Sequence, residues 1–349
     1  MKLLVCGGAG FIGSNFIRYM LSAYPEVSIV NYDALTYAAN PDNLLDVVAR
    51  FGSRYAFVHG DIIDNTKVVA TIREYHIDSL ISFAAETHVD RSIHLGAFPF
   101  VRTNVLGVCS LLDAVKQTGI ERFVNVSTDE VFGKLELDED RLFTEETAFA
   151  PNVPYAAAKA GGDLLCRAYA KTHGTPVVVT HCSNNYGPYQ FPEKLIPFVI
   201  FRALAHEPVP IYGDGLHVRD WIFVEDHCTA LDQALRHGRS GEVYNIGVDN
   251  ELNNLEVVDA ILDILGKPHT LKEHVADRPG HDRRYAIDAT RIRGLNWAPV
   301  YSADRFAEGL ERTVRWYLDN GPWIDRLRQR AAEINAHIQV ADHQPQVNV

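Results

Sequence analysis

Cysteine is scarce in this chain of 349 residues. The five cysteines do not occur in pairs with the spacing of metal ligands or of a redox motif. They are scattered along the sequence, at Cys6, Cys109, Cys166, Cys182 and Cys228. The sequence therefore predicts neither a disulfide framework nor a metal site, and a reducing cytoplasm is the expected location.

A targeting segment and a membrane-length apolar run are also missing. Met1 is followed almost at once by an apolar strand pattern and a glycine loop, which leaves no room for a cleavable signal. No apolar run approaches the roughly 20 residues that a membrane-spanning helix needs. We therefore expect a protein that is neither secreted nor inserted in a membrane.

Positive charge is in short supply. The chain has 33 lysines and arginines against 45 acidic residues, a formal net charge of −12 at pH 7. Nucleic acids bind surfaces that are rich in positive charge, so this composition argues against a nucleic-acid partner. Hydrophobic residues make up 47% of the chain, enough for one large domain with a smaller lobe.

A glycine-rich loop is the first chemical signal. The string Gly7–Gly13 follows a strand pattern at Lys2–Cys6 and opens a helix that should run to about Ser22. Such a loop brings backbone N–H groups and a helix N-terminus to a pyrophosphate. Asp33 ends the next strand about 20 residues beyond the loop, where an acid bonds an adenosine ribose and repels a 2′-phosphate. The pattern predicts NAD rather than NADP.

Strand and helix patterns then alternate. Strands are predicted at Tyr55–His59 and Ser79–Phe83, and helices near Asn65–Tyr75 and Phe100–Thr118. This alternation predicts an α/β fold with a doubly wound parallel sheet of the Rossmann type, carrying a smaller mixed α/β C-terminal lobe. Asp61, just after the third strand, is placed to hold the adenine amino group or to cap the next helix.

The string Ala84–His88 follows the fourth strand and should flank the cofactor. His88 fits a functional histidine and a structural one equally well.

Two adjacent carboxylates end the fifth strand. The apolar run Arg122–Ser127 predicts a buried parallel strand, and Thr128, Asp129 and Glu130 follow it. Ligands in open α/β sheets bind beyond the carboxyl ends of strands. The two carboxylates are suited to separate acid and base roles if their environments push their pKa values apart. The alternative is that they cap a helix or turn.

Tyr155 and Lys159 share one face of a predicted helix over 153–173, because residues four apart are neighbours there. A nearby ammonium favours the charged form of a phenol, so this tyrosine is a candidate base. Its pKa must fall by several units from about 10 to act near neutral pH. The spacing alone is more typical of a structural pair on a helix surface.

The second half of the chain differs in composition from the first. Prolines crowd the stretch from 188 to 210, which indicates loops and short helices. The cations Lys194, Arg219, Arg278, Arg283 and Arg284 lie among these loop signals. Arginine suits bidentate phosphate contacts, so together they predict a second anionic ligand such as a nucleoside diphosphate conjugate. Taken singly, each is typical of a solvated charge.

The domain division follows from these patterns. We predict a cofactor domain over 1–183, to which 217–247 returns, and a substrate lobe over 184–216 and 248–340. The last helices are expected near Ser302–Asn320 and Trp323–Ile338, and the tail 341–349 is expected to be disordered. The helices over 100–118 and 153–173 have long apolar faces, the second including Leu164, Leu165 and Tyr169. They predict a homodimer.

Several long strings carry a family resemblance: GGAGFIG, YDALTYAAN, AAETHVDRSI, VSTDEVFG, PYAAAKAGGD, CSNNYGPYQFPEKLIP, VRDWIFVEDH and DRPGHDRRYAID. From Lys2 to about Ile287 the sequence resembles the extended short-chain dehydrogenase/reductase family, and most closely its nucleotide-sugar 4,6-dehydratases. The resemblance implies a dTDP-sugar as substrate and NAD as cofactor.

The resemblance also implies roles for the reacting groups. Tyr155 would remove the C4 hydroxyl proton of the sugar, and Lys159 would lower its pKa and hold the nicotinamide ribose. Thr128 takes the usual serine position. Asp129 would protonate the departing C6 hydroxyl, and Glu130 would remove the C5 proton.

The binding residues complete this expectation. The predicted cofactor-binding residues are Gly7, Gly10, Phe11, Ile12, Gly13, Asp33, Leu35, Thr36, Asp61, Ile62, Ala84, Ala85, Thr103, Tyr155 and Lys159. The predicted substrate-binding residues are His88, Thr128, Asn184, Lys194, Leu195, Arg219, Asn254, Arg278 and His281.

One residue departs from the family pattern and three alternatives stay open. Phe132 stands where the family commonly has tyrosine, which removes a hydrogen-bonding group and leaves the fine positioning of the sugar open. A nucleotide-sugar 4-epimerase shares the cofactor and the Tyr/Lys pair without needing the two carboxylates. A dehydratase of a UDP- or CDP-sugar keeps the chemistry. A non-catalytic NAD-sensing regulator keeps only the glycine loop.

Overall fold

The computed structural model describes residues 1–94, 96–327 and 330 of the chain. Its strands are β1 Lys2–Cys6, β2 Ser28–Asp33, β3 Tyr55–His59, β4 Ser79–Ser82, β5 Arg122–Thr128, β6 Val177–Cys182, β7 Asn184–Tyr186, β8 Val209–Tyr212, β9 Val218–Phe223, β10 Val243–Ile246, β11 Glu251–Asn253 and β12 Lys272–Val275.

The α-helices alternate with these strands and then dominate the C-terminal part. They are α1 Phe11–Ala23, α2 Leu45–Phe51, α3 Asn65–Tyr75, α4 Val89–His94, α5 Phe98–Val101, α6 Val108–Thr118, α7 Pro154–His173, α8 Leu195–Leu204, α9 Val224–His237, α10 Asn254–Leu265, α11 Thr290–Arg293 and α12 Phe306–Asp319. Residues 321–327 are also helical. The rest of the helix predicted to Ile338, and the predicted disordered tail, lie outside the described residues.

Seven strands form one parallel sheet in the order β10-β6-β5-β4-β1-β2-β3. Strands such as Ser79–Ser82 are buried on both faces, as expected when helices cover a parallel sheet. The strand order reverses beside β1, which opens a crevice at the carboxyl ends of β1 and β4. The predicted fold class, a doubly wound parallel sheet, is confirmed.

Helices cover both faces of this sheet with separate apolar clusters. One face packs against α1 and α9 through side chains such as Phe16, Met20 and Leu231. The other packs against α3, α6 and α7, where Leu111 and Cys166 are fully buried. The carboxyl ends of the strands are therefore the open side of the sheet.

A second apolar cluster belongs to the C-terminal lobe. Helices α8, α10 and α12 enclose it with residues such as Val199, Ile261 and Leu310. Two small sheets, β11-β9-β7 and β12-β8, complete the lobe beside the open end of the large sheet. The lobe and the strand ends therefore face each other across a cleft.

The segment after residue 217 returns to the large sheet only in part. Strand β10 pairs in parallel with β6, and α9 belongs to the cluster beneath that sheet. Strand β9 pairs instead with β7 and β11 in the three-stranded sheet. The predicted division into domains stays a prediction, with β9 joining the lobe's side of the cleft.

The predicted helix over 100–118 is longer and less regular than expected. It runs through α5, a π-helical segment at Arg102–Gly107 and α6. This continuous helix, Phe98–Thr118, is long and apolar enough to cross a membrane by length and composition, and half of it is buried in the fold. The statement that no apolar run approaches that length was therefore wrong. Packing against α3 and α7 accounts for the apolar residues of the buried half.

Candidate active site

The turn after β5 presents the two carboxylates. Strand β5 continues one residue beyond the prediction, and Thr128 pairs with Cys182 of β6 at its end. The Thr128 hydroxyl accepts the backbone N–H of Glu130 at 3.3 Å and so caps the short 3₁₀ turn Asp129–Phe132. Because Thr128 is the cap, the capping alternative for the carboxylates is wrong. Oδ2 of Asp129 is buried without a hydrogen-bond partner.

Helix α7 brings Tyr155 and Lys159 beneath this turn. Both side chains are buried, at 7% and 6% exposure, which a solvated surface pair would not be. The ammonium of Lys159 donates to the carbonyl oxygen of Val126 at 2.8 Å. The ring of Tyr155 packs edge-on against Phe100. The helix and the end of β5 therefore hold the Tyr/Lys pair and the carboxylates in one place.

The electrostatics of Tyr155 differ from the prediction. Burial, and next the charge of Glu130, raise its pKa well above the ordinary value, against a hydrogen bond from Thr128 that lowers it. Burial lowers the pKa of Lys159. Among the protein's own groups, the expected lowering of the Tyr155 pKa by Lys159 is therefore absent. Desolvation by burial is the largest influence on both groups.

The two carboxylates have separate electrostatic environments. Burial and the charge of Glu130 raise the pKa of Asp129 well above its usual range. Burial also raises the pKa of Glu130, but the cations Arg278, Arg219 and Lys194 oppose this rise. Asp129 therefore holds a proton more readily than Glu130 does, and Glu130 carries the negative charge more readily. This is the division that an acid and a base require.

A cavity of about 550 Å³ opens in front of Glu130. Eight of the nine predicted substrate-binding residues line it: His88, Asn184, Lys194, Leu195, Arg219, Asn254, Arg278 and His281. The ninth, Thr128, lies behind Glu130 at the end of β5. Strand β9 supplies Arg219, and the loop after β12 supplies Arg278 and His281, so the small lobe builds most of the wall.

Three of the five cations singled out in the sequence face this cavity. Lys194, Arg219 and Arg278 line its wall. Arg283 instead forms an ion pair with Asp214, with 2.9 Å between guanidinium and carboxylate. Arg284 forms an ion pair with an acidic residue on β11. Because those two do not line the cavity, the expectation that all five serve one anionic ligand was wrong.

Arg219 is the most confined of the three. It is 6% exposed, and its guanidinium lies 4.2 Å from the ring centre of Tyr285. It donates to the carbonyl oxygens of Val218 at 2.7 Å and Asp282 at 2.9 Å. These contacts fix a planar donor group at the cavity wall, as bidentate phosphate binding requires.

The two histidines of the cavity are uncharged. Burial lowers the pKa of His88 to about 3, with help from Lys194. Burial and then Arg278 lower the pKa of His281 to about 3, although its ring contacts Asp277 at 2.7 Å. Both are therefore hydrogen-bonding groups at neutral pH, and the positive charge of the site comes from lysine and arginine.

His217, Asp277 and His281 offer three ligand atoms within 4.8 Å of one another. The two imidazole rings stack on each other with centroids 3.5 Å apart, and both turn toward Asp277. Burial lowers the pKa of His217, and Arg219 and Arg283 act in the same direction. Of the three residues, His281 alone lines the larger cavity, and the nearby arginines disfavour a metal ion at the cluster.

A second cavity, of about 230 Å³, lies over the carboxyl ends of β1, β2 and β4. The predicted cofactor residues that line it are Gly7, Gly10, Asp33, Thr36, Asp61, Ile62, Ala84, Ala85 and Thr103. Phe11 and Ile12 pack instead against the core beneath the sheet. At Gly13 a Cβ atom would lie 2.4 Å from the carbonyl oxygen of Gly7, so this glycine allows the helix to approach the loop.

The residues present fit a dinucleotide. Asp33 accepts the backbone N–H groups of Ala9 and Leu35, each at 2.8 Å, one at each oxygen. Each carboxylate oxygen keeps a lone pair for a ribose hydroxyl. Gly7 has φ of +78°, and a Cβ there would lie 2.6 Å from the nitrogen of Ala84. Only glycine lets the loop pass this close to β4.

Hydrogen bonds that begin in the C-terminal helical segment hold the glycine loop in place. The carbonyl oxygen of Ala9 accepts from the side-chain amide of Asn43 at 3.1 Å. The amide oxygen of Asn43 in turn accepts from the indole N–H of Trp323 at 2.9 Å. The C-terminal helical segment therefore helps to fix the loop where a pyrophosphate would bind.

Asp61 does not cap α3, since the side chain of Asp64 performs that role. Asp61 instead accepts the N–H of Ile63 and pairs with Arg102 at 2.9 Å, at the mouth of the second cavity. The predicted contact with an adenine amino group stays a prediction.

Sequence reasoning missed several cavity residues. Glu193, Phe198, Trp221 and Tyr285 also line the larger cavity. Glu193 could have been found from its place beside Lys194. The buried carboxylate of Glu193 accepts from Tyr37, a residue on the cofactor side of the cleft, at 3.2 Å. Glu193 therefore joins the wall of the larger cavity to the segment that borders the second cavity.

Phe132 does not line either cavity. It is 2% exposed and packs against Phe143, Phe149 and the ring of His181. A tyrosine hydroxyl here would enter an apolar cluster, so the departure from the family pattern affects packing behind the carboxylates.

The comparisons with known proteins agree with this site. The family model described as GDP-mannose 4,6 dehydratase matches residues 4–311. A dTDP-glucose 4,6-dehydratase of Xanthomonas campestris pv. campestris is 49% identical over 340 residues, covering 92% of this chain and 94% of the relative.

Solved structures give the same result. The dTDP-glucose 4,6-dehydratase DesIV of Streptomyces venezuelae, solved with NAD bound, is 47% identical with a TM-score of 0.88, covering 94% of this chain and all of that one. A UDP-glucose 4-epimerase of Thermotoga maritima is 26% identical with a TM-score of 0.83, covering 91% and 99%.

The fold and the paired cavities define a short-chain dehydrogenase/reductase of the extended type that acts on nucleotide-linked sugars. Within that class, the chain belongs to the nucleotide-sugar 4,6-dehydratase family that the model describes.

Proposed function

We propose that the protein is a dTDP-glucose 4,6-dehydratase, an NAD-dependent lyase that forms dTDP-4-keto-6-deoxyglucose. One observation carries this proposal. Asp129 and Glu130 lie together beside Tyr155, and their environments favour a proton on the first and a charge on the second. An epimerase has no use for such a pair. A dehydratase needs both.

The predicted cofactor residues support NAD as the bound group. When bound, NAD supplies an oxidant for C4 of the sugar and later a reductant for C6. Asp33 would hold the adenosine ribose, and the N–H groups of the glycine loop would hold the pyrophosphate. The carboxylate of Asp33 disfavours a 2′-phosphate, which favours NAD over NADP.

The remaining steps belong to the chain's own residues. Tyr155 takes the proton of the C4 hydroxyl as C4 is oxidised, with Lys159 beside it. The C4 ketone acidifies the C5 proton, which Glu130 removes, and a proton returns to C5 when C6 is reduced. Asp129 delivers its proton to the C6 hydroxyl, which leaves as water. Each transfer is a positioned acid–base step of the kind worth about 10²–10⁴-fold in rate.

The residues that line the larger cavity favour a substrate that contains a nucleoside diphosphate. Lys194, Arg219 and Arg278 supply positive charge in a protein whose net charge is negative. Such cations would neutralise the two phosphates while Glu130 faces the sugar. The identity of the base is supported by the dTDP-glucose dehydratases that the chain resembles.

Isotope transfer tests the function. We expect dTDP-glucose deuterated at C4 to give a 4-keto-6-deoxy product that carries the label at C6. UDP-glucose and CDP-glucose, deuterated in the same way, serve as matched substrates and should turn over more slowly. Deuterium at C4 of a galactose product would show an epimerase instead. Binding of NAD without turnover of any of these sugars would favour the sensing regulator.

We also propose a homodimer located in the cytoplasm and free of the membrane. Phe98, Val101, Leu106 and Leu164 are 78%, 41%, 54% and 55% exposed on the helices α5 to α7. Two such faces would cover each other in a bundle. Of the residues predicted for this face, Leu165 and Tyr169 pack inward against the core instead. Sedimentation at several concentrations tests the assembly, and a constant monomer mass would contradict it.

A further inference from the structure

Asp163 is a buried carboxylate that the reaction steps above do not use. It lies on α7, one turn beyond Lys159 and two turns beyond Tyr155, so the three residues share one face of the helix. Its exposure is 4%. Buried carboxylates are costly unless they are hydrogen-bonded or paired with a positive charge.

Three side chains from the large sheet donate to Asp163. The hydroxyl of Ser127 donates at 2.6 Å and the amide of Asn125 at 3.0 Å, both from β5. Nε2 of His181, on β6, lies 3.2 Å away. Ser127 directly precedes Thr128. These bonds therefore fasten the helix of the Tyr/Lys pair to the strand that ends in the catalytic turn.

His181 packs between Asp163 and an apolar wall. Its Nδ1 atom is buried without a hydrogen-bond partner, and its ring lies against Phe132 and Phe149. Nε2 is therefore the ring atom that holds Asp163, and this contact joins α7 to β6 as well as to β5.

Few ionisable groups act on Lys159 within the part of the chain that the structure describes. Its neighbours are Tyr155, Asp163 and Cys166 on α7, Cys182 on β6, and a carbonyl oxygen of β5. Burial lowers the pKa of its ammonium, and Asp163 is the foremost group that raises it. The thiols of Cys166 and Cys182 have pKa values raised by burial, so they are uncharged.

We propose that Asp163 is a positioning residue for the reaction, which holds the helix of Tyr155 and Lys159 against the end of β5 and acts as the counter-ion of Lys159. The proposal rests on the proposed roles of that pair. Its two parts are separable, because Asp163→Asn keeps the shape without the charge and Asp163→Glu keeps the charge without the shape.

Asp232→Asn is the matched control. Asp232 is also a fully buried carboxylate, and it accepts from Tyr19 at 3.2 Å, Tyr24 at 2.6 Å and Arg236 at 2.7 Å. It lies on α9, on the opposite face of the sheet. Both changes remove a buried carboxylate with three donors, and only Asp163→Asn should affect Lys159.

The first measurement is the titration of Lys159 by NMR in cofactor-free protein with isotope-labelled lysine, its signal assigned by Lys159→Arg. We expect Asp163→Asn to move the titration to lower pH, and Asp163→Glu and Asp232→Asn to leave it in place. An unmoved titration in Asp163→Asn would overturn the counter-ion role. Because no substrate is needed, this result is independent of the proposed function.

The second measurement is the pH profile of turnover. In Asp163→Asn the alkaline limb should move to lower pH, with turnover there reduced about tenfold or more relative to the optimum. Asp163→Glu should lower turnover at every pH without moving the limb. Wild-type turnover in Asp163→Glu would overturn the positioning role, and an unmoved alkaline limb in Asp163→Asn would overturn the counter-ion role. If Asp163→Asn does not fold, Asp163→Glu still tests the positioning role.

Discussion

Replacing Glu130 by glutamine should split the reaction into its two halves. The change keeps the size of the side chain and removes the carboxylate that faces Lys194, Arg219 and Arg278. Glutamine cannot take the C5 proton. Oxidation at C4 depends on Tyr155 and should continue, so reduced nicotinamide should accumulate on the enzyme when substrate is added.

The size of the effect follows from the role of the lost group. Loss of a positioned base costs about 10²–10⁴-fold in rate, or about 3–5 kcal/mol in the barrier of the elimination step. The oxidation of C4 should not be slowed in this way; instead, it should persist to lower pH than in the wild type. After burial, Glu130 is the foremost group that raises the pKa of Tyr155. Removing its charge lowers that pKa, and a base with a lower pKa stays deprotonated to lower pH. The acidic limb of oxidation should therefore move to lower pH.

The assay follows the near-ultraviolet absorbance of reduced nicotinamide after rapid mixing, over a range of pH, together with product analysis. Glu273→Gln is the matched control, because Glu273 lines the same cavity on β12. It should give no accumulation. Full product formation by Glu130→Gln would refute the base assignment. A variant that oxidises C4 only at higher pH than the wild type would refute the electrostatic reasoning.

The remaining predictions concern the base, the cofactor and the dimer. Tyr155→Phe should reduce C4 oxidation by about 10²–10⁴-fold while NAD affinity, measured by calorimetry, changes little; undiminished reduction of NAD by substrate would rule out this base. Asp33→Ala should weaken NAD binding by about 10- to 100-fold, since a charge-assisted hydrogen bond contributes about 1.5–3 kcal/mol. A wild-type preference for NADP would contradict that reading. Leu164→Glu should place a charge in the proposed dimer face and yield monomers in sedimentation, whereas Leu318→Glu, at a similarly exposed site on α12, should not. A dimer that tolerates Leu164→Glu would exclude this face.

Several features of this protein were determined by local sequence alone. The strand, glycine loop and helix from Lys2 to Ala23 are contiguous, so their pattern is complete within a few turns of chain. Tyr155 and Lys159 share a face because the helix repeat places them there. Thr128 to Glu130 follow a strand, and a strand's carboxyl end in a parallel sheet is where ligands bind. These inferences need no contact between distant residues.

The tertiary structure decided which charges meet. Arg278 and Arg283 are near neighbours in sequence, yet one lines the cavity and the other pairs with Asp214. No local pattern separates them, because the direction of each side chain depends on how its loop lies against the segment before β9. The same holds for β9, which the sequence assigned to the cofactor domain but which lies between β7 and β11 in the three-stranded sheet.

Only the assembled structure also set the electrostatics. The sequence places an ammonium near a phenol and so predicts a lowered pKa for Tyr155, but burial raises it. Desolvation depends on everything that surrounds a group, including Phe100, which is distant in sequence. The bonds from Asn125, Ser127 and His181 to Asp163 likewise join separate parts of the chain. Local sequence therefore identified the groups that we propose for the chemistry, and long-range packing determined their charge and their distance from one another.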